Sequence, residues 1–316
     1  MWKVLANDGL DPMGVQQLEN LGHSVDTERK DLTQLTEVIN DYDVLIVRSA
    51  TKLRKDLIDK MDNVKLIIRA GVGLDNIDVK YAEDKGIRVH NTPTASSRSV
   101  AELAFAHIIG LYRFLPLSNR QMPVDGDQKF KALKKAYSKG RDIQGQKLGI
   151  IGLGRIGKEL ATLAFGAGMD VIAYDPWTED NAVWVKIASQ AVQVHIPLVT
   201  KNELLEKSDV ISIHVPRADE PIIGSDEIQL CKKDVTLINT ARGGCIDEDA
   251  LLKGLDDGKI WGAGLDVFDN EPTPSKEILQ HDRISLTPHI GASTQQAQKR
   301  IARIIVELID KCFKDQ

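Results

Sequence analysis

The sequence predicts an α/β fold with two doubly wound parallel-sheet domains of the Rossmann-like type. Short apolar runs alternate with helix-like segments along most of the 316 residues, which is typical of a parallel sheet covered by helices. A glycine fingerprint, G-x-G-x-x-G, lies at Gly152, Gly154 and Gly157. Because this fingerprint begins almost halfway along the chain, a separate domain of ordinary size is predicted before it.

The first domain is predicted from four apolar runs that read as buried strands. They are KVLAND (3–8), DVLIVRS (43–49), VKLIIRAG (64–71) and IRVHNTP (87–93). Helix-like segments separate them near 12–21, 52–61 and 77–85. This strand–helix alternation predicts a parallel sheet with helices on both faces.

The next predicted element is a long helix over VAELAFAHIIGLYRFL, residues 100–115. Ser99 and Glu102 have the spacing of a capping box at its start. The helix is apolar on nearly every side, so it should be buried between domains or between subunits.

A second strand–helix series runs from 147 to about 287. Its apolar runs are KLGIIGLG (147–154), DVIAYDP (170–176), DVISIHVP (209–216), DVTLINTARGG (234–244), WGAGLDVF (261–268) and ISLTPHIG (284–291). A last helix is predicted over 295–313 from apolar residues at helical spacing. These are Ile301, Ile304, Ile305, Leu308 and Ile309.

The glycine fingerprint lies between a predicted strand and a predicted helix, the context in which it indicates a dinucleotide site. Its glycines allow the backbone to approach a pyrophosphate, which a helix N-terminus stabilises. Asp175 ends the following strand, 18 residues beyond Gly157. A carboxylate there can accept hydrogen bonds from ribose hydroxyls and would repel a 2′-phosphate, so NAD is predicted rather than NADP.

Composition excludes several other classes of function. Forty-one basic and 46 acidic residues give a net charge of −5, which offers no basic surplus for nucleic acid. No apolar run reaches membrane-spanning length, and the N-terminus lacks a signal pattern. The three cysteines are widely spaced, so we expect neither a disulfide framework nor a metal site, and we expect a cytoplasmic location.

Several separate motifs together resemble the D-isomer-specific 2-hydroxyacid dehydrogenases. They are GLGRIG (152–157) followed by Asp175, HVP (214–216), NTARGG (239–244), GLDVFDNEP (264–272) and PHIGAST (288–294). The resemblance covers essentially the whole chain. It implies a substrate-binding, flavodoxin-like domain of residues 1–97 and 288–316, into which an NAD-binding Rossmann domain of residues 98–287 is inserted, with a cleft between them.

The resemblance also places a catalytic trio on this chain. His289 would exchange the hydroxyl proton of the substrate, a role that suits histidine because its pKa lies near neutrality. Glu271 would pair with the far ring nitrogen of His289, and Arg242 offers a planar fork for a carboxylate. The other five histidines, apart from His214, carry no functional signal.

Further cofactor contacts follow from the same resemblance. Asp266 would accept a hydrogen bond from the nicotinamide carboxamide, and the backbone amides of Arg155 and Ile156 would face the pyrophosphate. The remaining expected cofactor-binding residues are Pro176, His214, Val215, Pro216, Thr240, Ala241, Gly291 and Ala292.

The first domain indicates which 2-hydroxy acid is bound. Arg48 and Arg69 end two successive predicted strands, and Asn91 ends another. Two arginines exceed what one carboxylate needs if Arg242 is already engaged, which favours a second anion such as a phosphate. These stretches resemble those of D-3-phosphoglycerate dehydrogenases, which oxidise 3-phosphoglycerate in serine synthesis.

That resemblance adds Ser49, Gly71, Val72 and Gly73 to the expected substrate site, although Val72 stands where some relatives have threonine. The basic stretch 129–141 contains Lys131 and Lys134, either of which could reach the phosphate. A solvated helix face is the competing interpretation of this stretch.

Alternatives remain open at this point. Hydroxypyruvate or glyoxylate reductases and other D-2-hydroxyacid dehydrogenases share the trio, and some relatives are NAD-responsive corepressors. A homodimer is expected from the family and from the apolar helix. Because the sequence ends soon after its last predicted helix, no C-terminal regulatory domain is expected.

Overall fold

The computed structural model describes residues 1–315 and divides the chain into two compact units. The first unit contains Met1–Ser97 together with the segment that begins at Ala292, and the second unit is Arg98–Gly291. Residues 288–291 therefore lie in the second unit, whereas the sequence placed them in the first domain.

The first unit contains a five-stranded parallel sheet with strand order β2-β1-β3-β4-β5. Its elements are β1 (Lys3–Ala6), α1 (Pro12–Asn20), β2 (Ser24–Asp26), α2 (Leu32–Val38), β3 (Val44–Val47), α3 (Lys55–Ile58), β4 (Leu66–Arg69), α4 (Val79–Asp84) and β5 (Arg88–Asn91). The strand order reverses between β1 and β3, as in a doubly wound fold. The four predicted strands are confirmed, the short edge strand β2 was not predicted, and the helix expected near 52–61 is limited to α3.

The second unit contains a six-stranded parallel sheet with order β13-β12-β11-β10-β6-β7 and a separate hairpin, β8–β9. Its elements are α5 (Ser97–Tyr112), α6 (Leu115–Ala136), β6 (Lys147–Ile151), α7 (Arg155–Gly166), β7 (Asp170–Tyr174), β8 (Ala182–Ile187), β9 (Gln190–His195), α8 (Lys201–Lys207), β10 (Val210–Ile213), α9 (Ser225–Leu230), β11 (Val235–Asn239), α10 (Glu248–Asp256), β12 (Ile260–Leu265), α11 (Lys276–Gln280) and β13 (Ile284–Leu286). The order reverses between β6 and β10, so this sheet is also doubly wound. The predicted fold class is confirmed.

The chain ends in α12 (Gln295–Lys314), which belongs to the first unit. Ile301, Ile305 and Ile309 are buried in one cluster with Trp2 and residues of the first sheet. The Thr294 hydroxyl caps the helix by accepting the Ala297 amide at 3.1 Å. The helix and its apolar face, which were predicted from periodicity, are confirmed.

The start of α5 differs from the prediction. The helix begins at Ser97, so Ser99 is its third residue and the predicted capping box is wrong. Glu102 instead accepts a hydrogen bond from Arg98 Nε at 2.8 Å, an i,i+4 pair within the helix. The helix ends before Phe114, whose left-handed backbone (φ 53°) turns the chain into α6.

Among the described residues, no single helix is long and apolar enough to cross a membrane. The bent pair of α5 with the segment Leu115–Lys139 meets the length and composition requirement only when its two halves are taken together.

Candidate active site

A tight turn joins β6 to α7 in the second unit, and two of its glycines are required sterically. Gly152 has φ of +92°, and a Cβ there would lie 2.6 Å from the His214 carbonyl oxygen. A Cβ on Gly157 would lie 2.4 Å from the Gly152 carbonyl oxygen. The Gly152 contact holds the turn against the end of β10, at the point where the strand order reverses.

The third glycine of the fingerprint has a different environment. Gly154 is the N-cap of α7, and nothing lies within 4 Å of the position that its Cβ would occupy. Among residues 1–315, no side chain caps this helix, and its first turn carries no acidic residue. The amides of Arg155 and Ile156 are therefore available to an anion, so this helix end fits the pyrophosphate of a dinucleotide.

Asp175 follows β7, beside the glycine turn. One carboxylate oxygen accepts the Leu153 amide at 2.8 Å and the other accepts the Trp177 amide at 2.9 Å. Each oxygen keeps capacity for a further donor, such as a ribose hydroxyl. Asp175 therefore also shapes the turn, a role that the sequence did not reveal. Pro176, the next residue, is exposed.

His214 and Thr240 carry buried polar atoms that lack a partner among the described residues. His214 Nε2 lies 2.9 Å from Ser212 Oγ, whereas His214 Nδ1 and Thr240 Oγ1 are unpaired. Burial lowers the pKa of His214 to about 3, so its ring is neutral at neutral pH. Buried polar atoms are usually satisfied, and both residues were expected to bind the cofactor. Val215 is half-buried beside them, Pro216 is exposed, and Ala241 is buried.

Arg242 lies in the loop after β11. Asn239 shapes this loop, donating from its amide to the Arg242 carbonyl at 2.8 Å and accepting the Ala241 amide at 3.0 Å. A Cβ on Gly243 would lie 1.9 Å from the Phe268 carbonyl oxygen. The Arg242 loop is therefore packed backbone to backbone against the segment that leads to Glu271.

Glu271 and His289 form a direct pair in the second unit. Glu271 Oε2 lies 2.8 Å from His289 Nδ1, and Glu271 Oε1 accepts the Phe268 amide at 3.0 Å. Within residues 1–315, no hydrogen bond engages His289 Nε2. A carboxylate that accepts the Nδ1 proton leaves Nε2 as the acceptor, the tautomer that a general base needs. Both side chains are partly exposed to solvent.

The structure places Asp266 inside the protein, where its carboxylate has three internal donors. The residue is 1% exposed. Oδ1 accepts from Thr287 Oγ1 at 2.6 Å and from the Ile290 amide at 2.8 Å, and Oδ2 accepts the Gly291 amide at 2.8 Å. Oδ2 therefore keeps capacity for one more donor. These internal contacts were not predicted.

In the first unit, the expected substrate residues lie at the ends of neighbouring strands. Val47 pairs with Arg69 and Arg69 pairs with Asn91, so Arg48, Arg69 and Asn91 share one edge of the sheet. The Asn91 amide donates to the Val72 carbonyl at 2.5 Å. The Arg69 guanidinium packs over Gly71, where Nη1 would be 1.5 Å from an added Cβ. Gly71 thus provides the space that Arg69 occupies.

Two residues that the sequence analysis missed hold the loop containing Arg48 and Ser49. Asp8 accepts the Arg48 amide at 2.6 Å and the Thr51 amide at 3.1 Å. Asn76 donates to the carbonyls of Arg48 and Thr51, both at 2.7 Å. No local pattern in the sequence signals these contacts, because Asp8 follows β1 and Asn76 lies in the loop between β4 and α4.

The remaining expected residues lie on the surface or in loops. Lys131 and Lys134 are exposed on α6, Ser49 is exposed, and Gly73 is half-buried. The Ala292 carbonyl accepts from the Gln298 side chain at 3.3 Å in the first unit.

Comparisons with known proteins show which family this chain resembles. Residues 105–291 match the family model described as D-isomer specific 2-hydroxyacid dehydrogenase, NAD binding domain. Hydroxypyruvate reductase of Thermotoga maritima is 42% identical over 321 residues, which cover 99% of this chain and 98% of that protein.

Two further similarities are informative. D-3-phosphoglycerate dehydrogenase of Methanocaldococcus jannaschii is 40% identical over 319 residues, and the chain spans 58% of that protein's length. The crystal structure of D-lactate dehydrogenase from Aquifex aeolicus with NAD and lactic acid has a TM-score of 0.76 and 29% identity, covering 99% of this chain and 95% of that chain.

Proposed function

The chain belongs to the D-isomer-specific 2-hydroxyacid dehydrogenase family, and we propose on this basis that it interconverts a D-2-hydroxy acid and its 2-oxo acid with a Glu271–His289 acid/base pair. The observation that carries the proposal is the 2.8 Å contact between Glu271 Oε2 and His289 Nδ1. This contact gives the histidine a fixed tautomer with Nε2 directed elsewhere.

The cofactor of the family is NAD, which accepts or returns a hydride when it is bound. We propose that the second unit binds it through the amides at the start of α7, the carboxylate of Asp175 and the unpaired polar atoms of His214 and Thr240. The open space at Gly154 supports this assignment.

His289 Nε2 then takes the proton of the substrate hydroxyl, and Glu271 stabilises the resulting imidazolium. In the reverse direction His289 returns the proton to the carbonyl oxygen. The Arg242 guanidinium binds the carboxylate of the substrate through two parallel hydrogen bonds. Loss of such a general acid/base lowers turnover by a factor of roughly 10² to 10⁴.

For the substrate, we favour 3-phosphoglycerate and its oxo acid, 3-phosphohydroxypyruvate. The support is the shared strand edge of Arg48, Arg69 and Asn91 in the first unit. Asp8 and Asn76 fix the backbone at Arg48, which supports a defined starting point for its side chain at the anion site. This activity would place the enzyme at the entry to serine synthesis.

A second candidate substrate is hydroxypyruvate. It is favoured by the relative from Thermotoga maritima, which matches over nearly the whole length of both proteins. An unphosphorylated acid would leave Arg48 and Arg69 with a structural role.

Initial rates of NADH oxidation with 3-phosphohydroxypyruvate and with hydroxypyruvate distinguish these candidates, with NADPH run in parallel. We expect a kcat/KM preference for the phosphorylated acid and for NADH. We also expect Arg48→Ala to raise KM for the phosphorylated acid by at least tenfold and to leave KM for hydroxypyruvate within twofold. Arg29→Ala, at another arginine of the first unit, is the control. An equal rise in KM for the phosphorylated acid and for hydroxypyruvate would mean that Arg48 has a structural role and does not bind the phosphate.

We also propose that the protein is a homodimer located in a reducing cytoplasm. Support for the dimer comes from α6, where Leu115, Met122, Val124 and Phe130 are 41% to 74% exposed. Support for the location comes from three buried cysteines, all of them free. Light scattering during gel filtration tests the dimer, for which a species of the monomer mass is the contrary result.

A further inference from the structure

A chain of side-chain hydrogen bonds runs beneath the segment that carries His289. Ser285 Oγ lies 2.8 Å from His107 Nδ1, and His107 Nε2 lies 3.1 Å from Thr287 Oγ1. The Thr287 hydroxyl is in turn 2.6 Å from Asp266 Oδ1. His107 is 4% exposed, Ser285 is 8% exposed and Asp266 is 1% exposed. Most of this hydrogen-bond chain is therefore isolated from solvent.

The direction of each hydrogen bond follows from counting protons. Asp266 also accepts the amides of Ile290 and Gly291, so its carboxylate is an acceptor and takes the single hydroxyl proton of Thr287. The Thr287 oxygen must then accept from His107 Nε2–H. His107 Nδ1 consequently carries no proton and accepts from the Ser285 hydroxyl. Burial lowers the pKa of His107, which agrees with a neutral ring.

The hydrogen-bond chain ends on the Asp266 carboxylate, which holds the backbone next to His289. Ile290 and Gly291 follow His289 directly, and both of their amides donate to Asp266. His289 itself has a left-handed backbone, φ +54°, which a non-glycine residue keeps only when surrounding contacts enforce it. The Asp266 carboxylate supplies two of those contacts.

The surroundings of His107 accommodate this ring closely. It is a polar residue on the apolar helix α5, opposite Gly264 of β12. A Cβ on Gly264 would lie 2.6 Å from His107 Cβ and 2.9 Å from His107 Cγ, so the glycine allows α5 to approach β12 closely at this position. An apolar side chain at 107 would leave the Ser285 and Thr287 hydroxyls short of a partner in a buried place.

We propose that His107 is a positioning residue for the reaction, which acts through Thr287 and Asp266 to hold the 287–291 segment and thereby orient His289. The proposal rests on the proposed function. His107 does not touch the reacting atoms, and its contribution is the fixed direction of the hydrogen-bond chain that ends on Asp266.

Steady-state kinetics of two variants test the positioning role. His107→Leu removes the donor and the acceptor, whereas His107→Gln can supply an amide donor to Thr287 and a carbonyl acceptor to Ser285. We expect His107→Leu to lower kcat at least tenfold with the substrate KM changed less than threefold, and His107→Gln to recover most of the loss. With NADH deuterated at the transferred position, the primary isotope effect on kcat should increase in His107→Leu.

Ile108→Val provides the matched control, because Ile108 is fully buried on the same helix and takes no part in the hydrogen-bond chain. It should lower thermal stability without changing the isotope effect. Unchanged kcat and isotope effect in His107→Leu would overturn the proposal. If that variant does not fold, Thr287→Val against Thr287→Ser makes the same comparison with a smaller change, and equal kcat in the two would likewise overturn it.

A measurement that does not depend on turnover separates this proposal from the proposed function. In ¹⁵N-labelled protein, the ring of His107 should show a protonated Nε2 and an unprotonated Nδ1 near neutral pH. A protonated Nδ1 would overturn the hydrogen-bond chain even in an active enzyme. A wild-type protein that reduces no 2-oxo acid would overturn the proposed function. The tautomer of His107 would still show whether the hydrogen-bond chain has the proposed direction.

Discussion

His289 combines a left-handed backbone with a 2.8 Å contact to Glu271. An extended or helical backbone at this position would direct the ring differently, so the backbone conformation is part of the catalytic arrangement. Strain of this kind is characteristic of functional sites because the surrounding structure must maintain it.

Replacement of His289 should separate chemistry from binding. We expect His289→Gln to lower kcat by at least about 10²-fold, because a glutamine amide cannot take up or return the proton of the substrate hydroxyl. NADH affinity, measured by fluorescence titration, should stay within threefold. His195→Gln, at an exposed histidine of β9, should leave both values unchanged. Near-wild-type turnover in His289→Gln would refute the assigned mechanism.

His214 should make stability depend on pH. Its pKa is lowered from 6.5 to about 3 by burial, so below pH 6.5 the unfolded chain binds a proton that the folded chain rejects. The free energy of unfolding therefore falls as pH decreases from about 6.5 toward 3. At about 1.4 kcal/mol per pH unit, the loss attributable to His214 is about 2 kcal/mol at pH 5.

Urea unfolding at pH 7 and pH 5 measures this loss. The wild type should lose about 2 kcal/mol more than His214→Gln between the two pH values. An equal loss in the two proteins would show that other groups cause the acid sensitivity.

Not all residue roles were accessible from the sequence. Gly152 and Gly157 were identified because the G-x-G-x-x-G fingerprint is a local sequence pattern, although the contact that constrains Gly152 is with the distant His214 carbonyl. The internal contacts of Asp266 and the position of His107 depend on α5, β12 and the 287–291 segment meeting in space. One signal was available for His107, namely a histidine within the apolar stretch 103–111 of α5.

At the scale of elements, the glycine turn before α7 carries two separable constraints. Gly152 and Gly157 are limited by backbone contacts, whereas Gly154 faces open space. Structure and cofactor binding should therefore respond to different glycines in the same fingerprint.

Alanine replacements in this turn test the separation. Gly152→Ala should lower thermal stability strongly, because its Cβ would be 2.6 Å from the His214 carbonyl oxygen at φ +92°. Gly154→Ala should change the melting temperature by less than about 2 °C, within the range of a mild surface change, and weaken NADH binding at least tenfold. Unchanged NADH affinity in Gly154→Ala would contradict the pyrophosphate assignment.

The long helix α12 and the buried strands of both sheets were predicted correctly, whereas the hairpin β8–β9 and the start of α5 were not. The helix α12 follows directly from apolar residues at helical spacing. The hairpin β8–β9 was missed, although Val183 and Val185 alternate with Trp184 as a half-buried strand requires. The start of α5 was misplaced because its polar residues Ser97 and Ser99 are equally compatible with a cap.

At the scale of the whole molecule, each unit has its own hydrophobic core. In the first unit, α12 covers one side of the sheet with Ile301, Ile305 and Ile309. In the second unit, Ile260 is one of the fully buried residues around β11 and β12.

Core truncation should therefore act on one unit at a time. Ile305→Ala removes buried volume at a cost of roughly 2–5 kcal/mol, and amide hydrogen exchange should accelerate mainly in residues 1–97. Ile260→Ala, the matched variant of the second unit, should accelerate exchange mainly in residues 98–291. Equal acceleration of both segments in either variant would mean that the two cores unfold as one.

The position of α12 in the chain affects the order in which the molecule folds during its synthesis. Residues 98–291, which build the whole second unit, are synthesised before Gln295–Lys314. Until then Trp2, Val4 and Ile46 lack the helix that buries them. At about 5–20 residues per second, synthesis of the residues between Ser97 and Ala292 takes on the order of 10–40 s. The nascent first unit exposes this apolar surface throughout that interval.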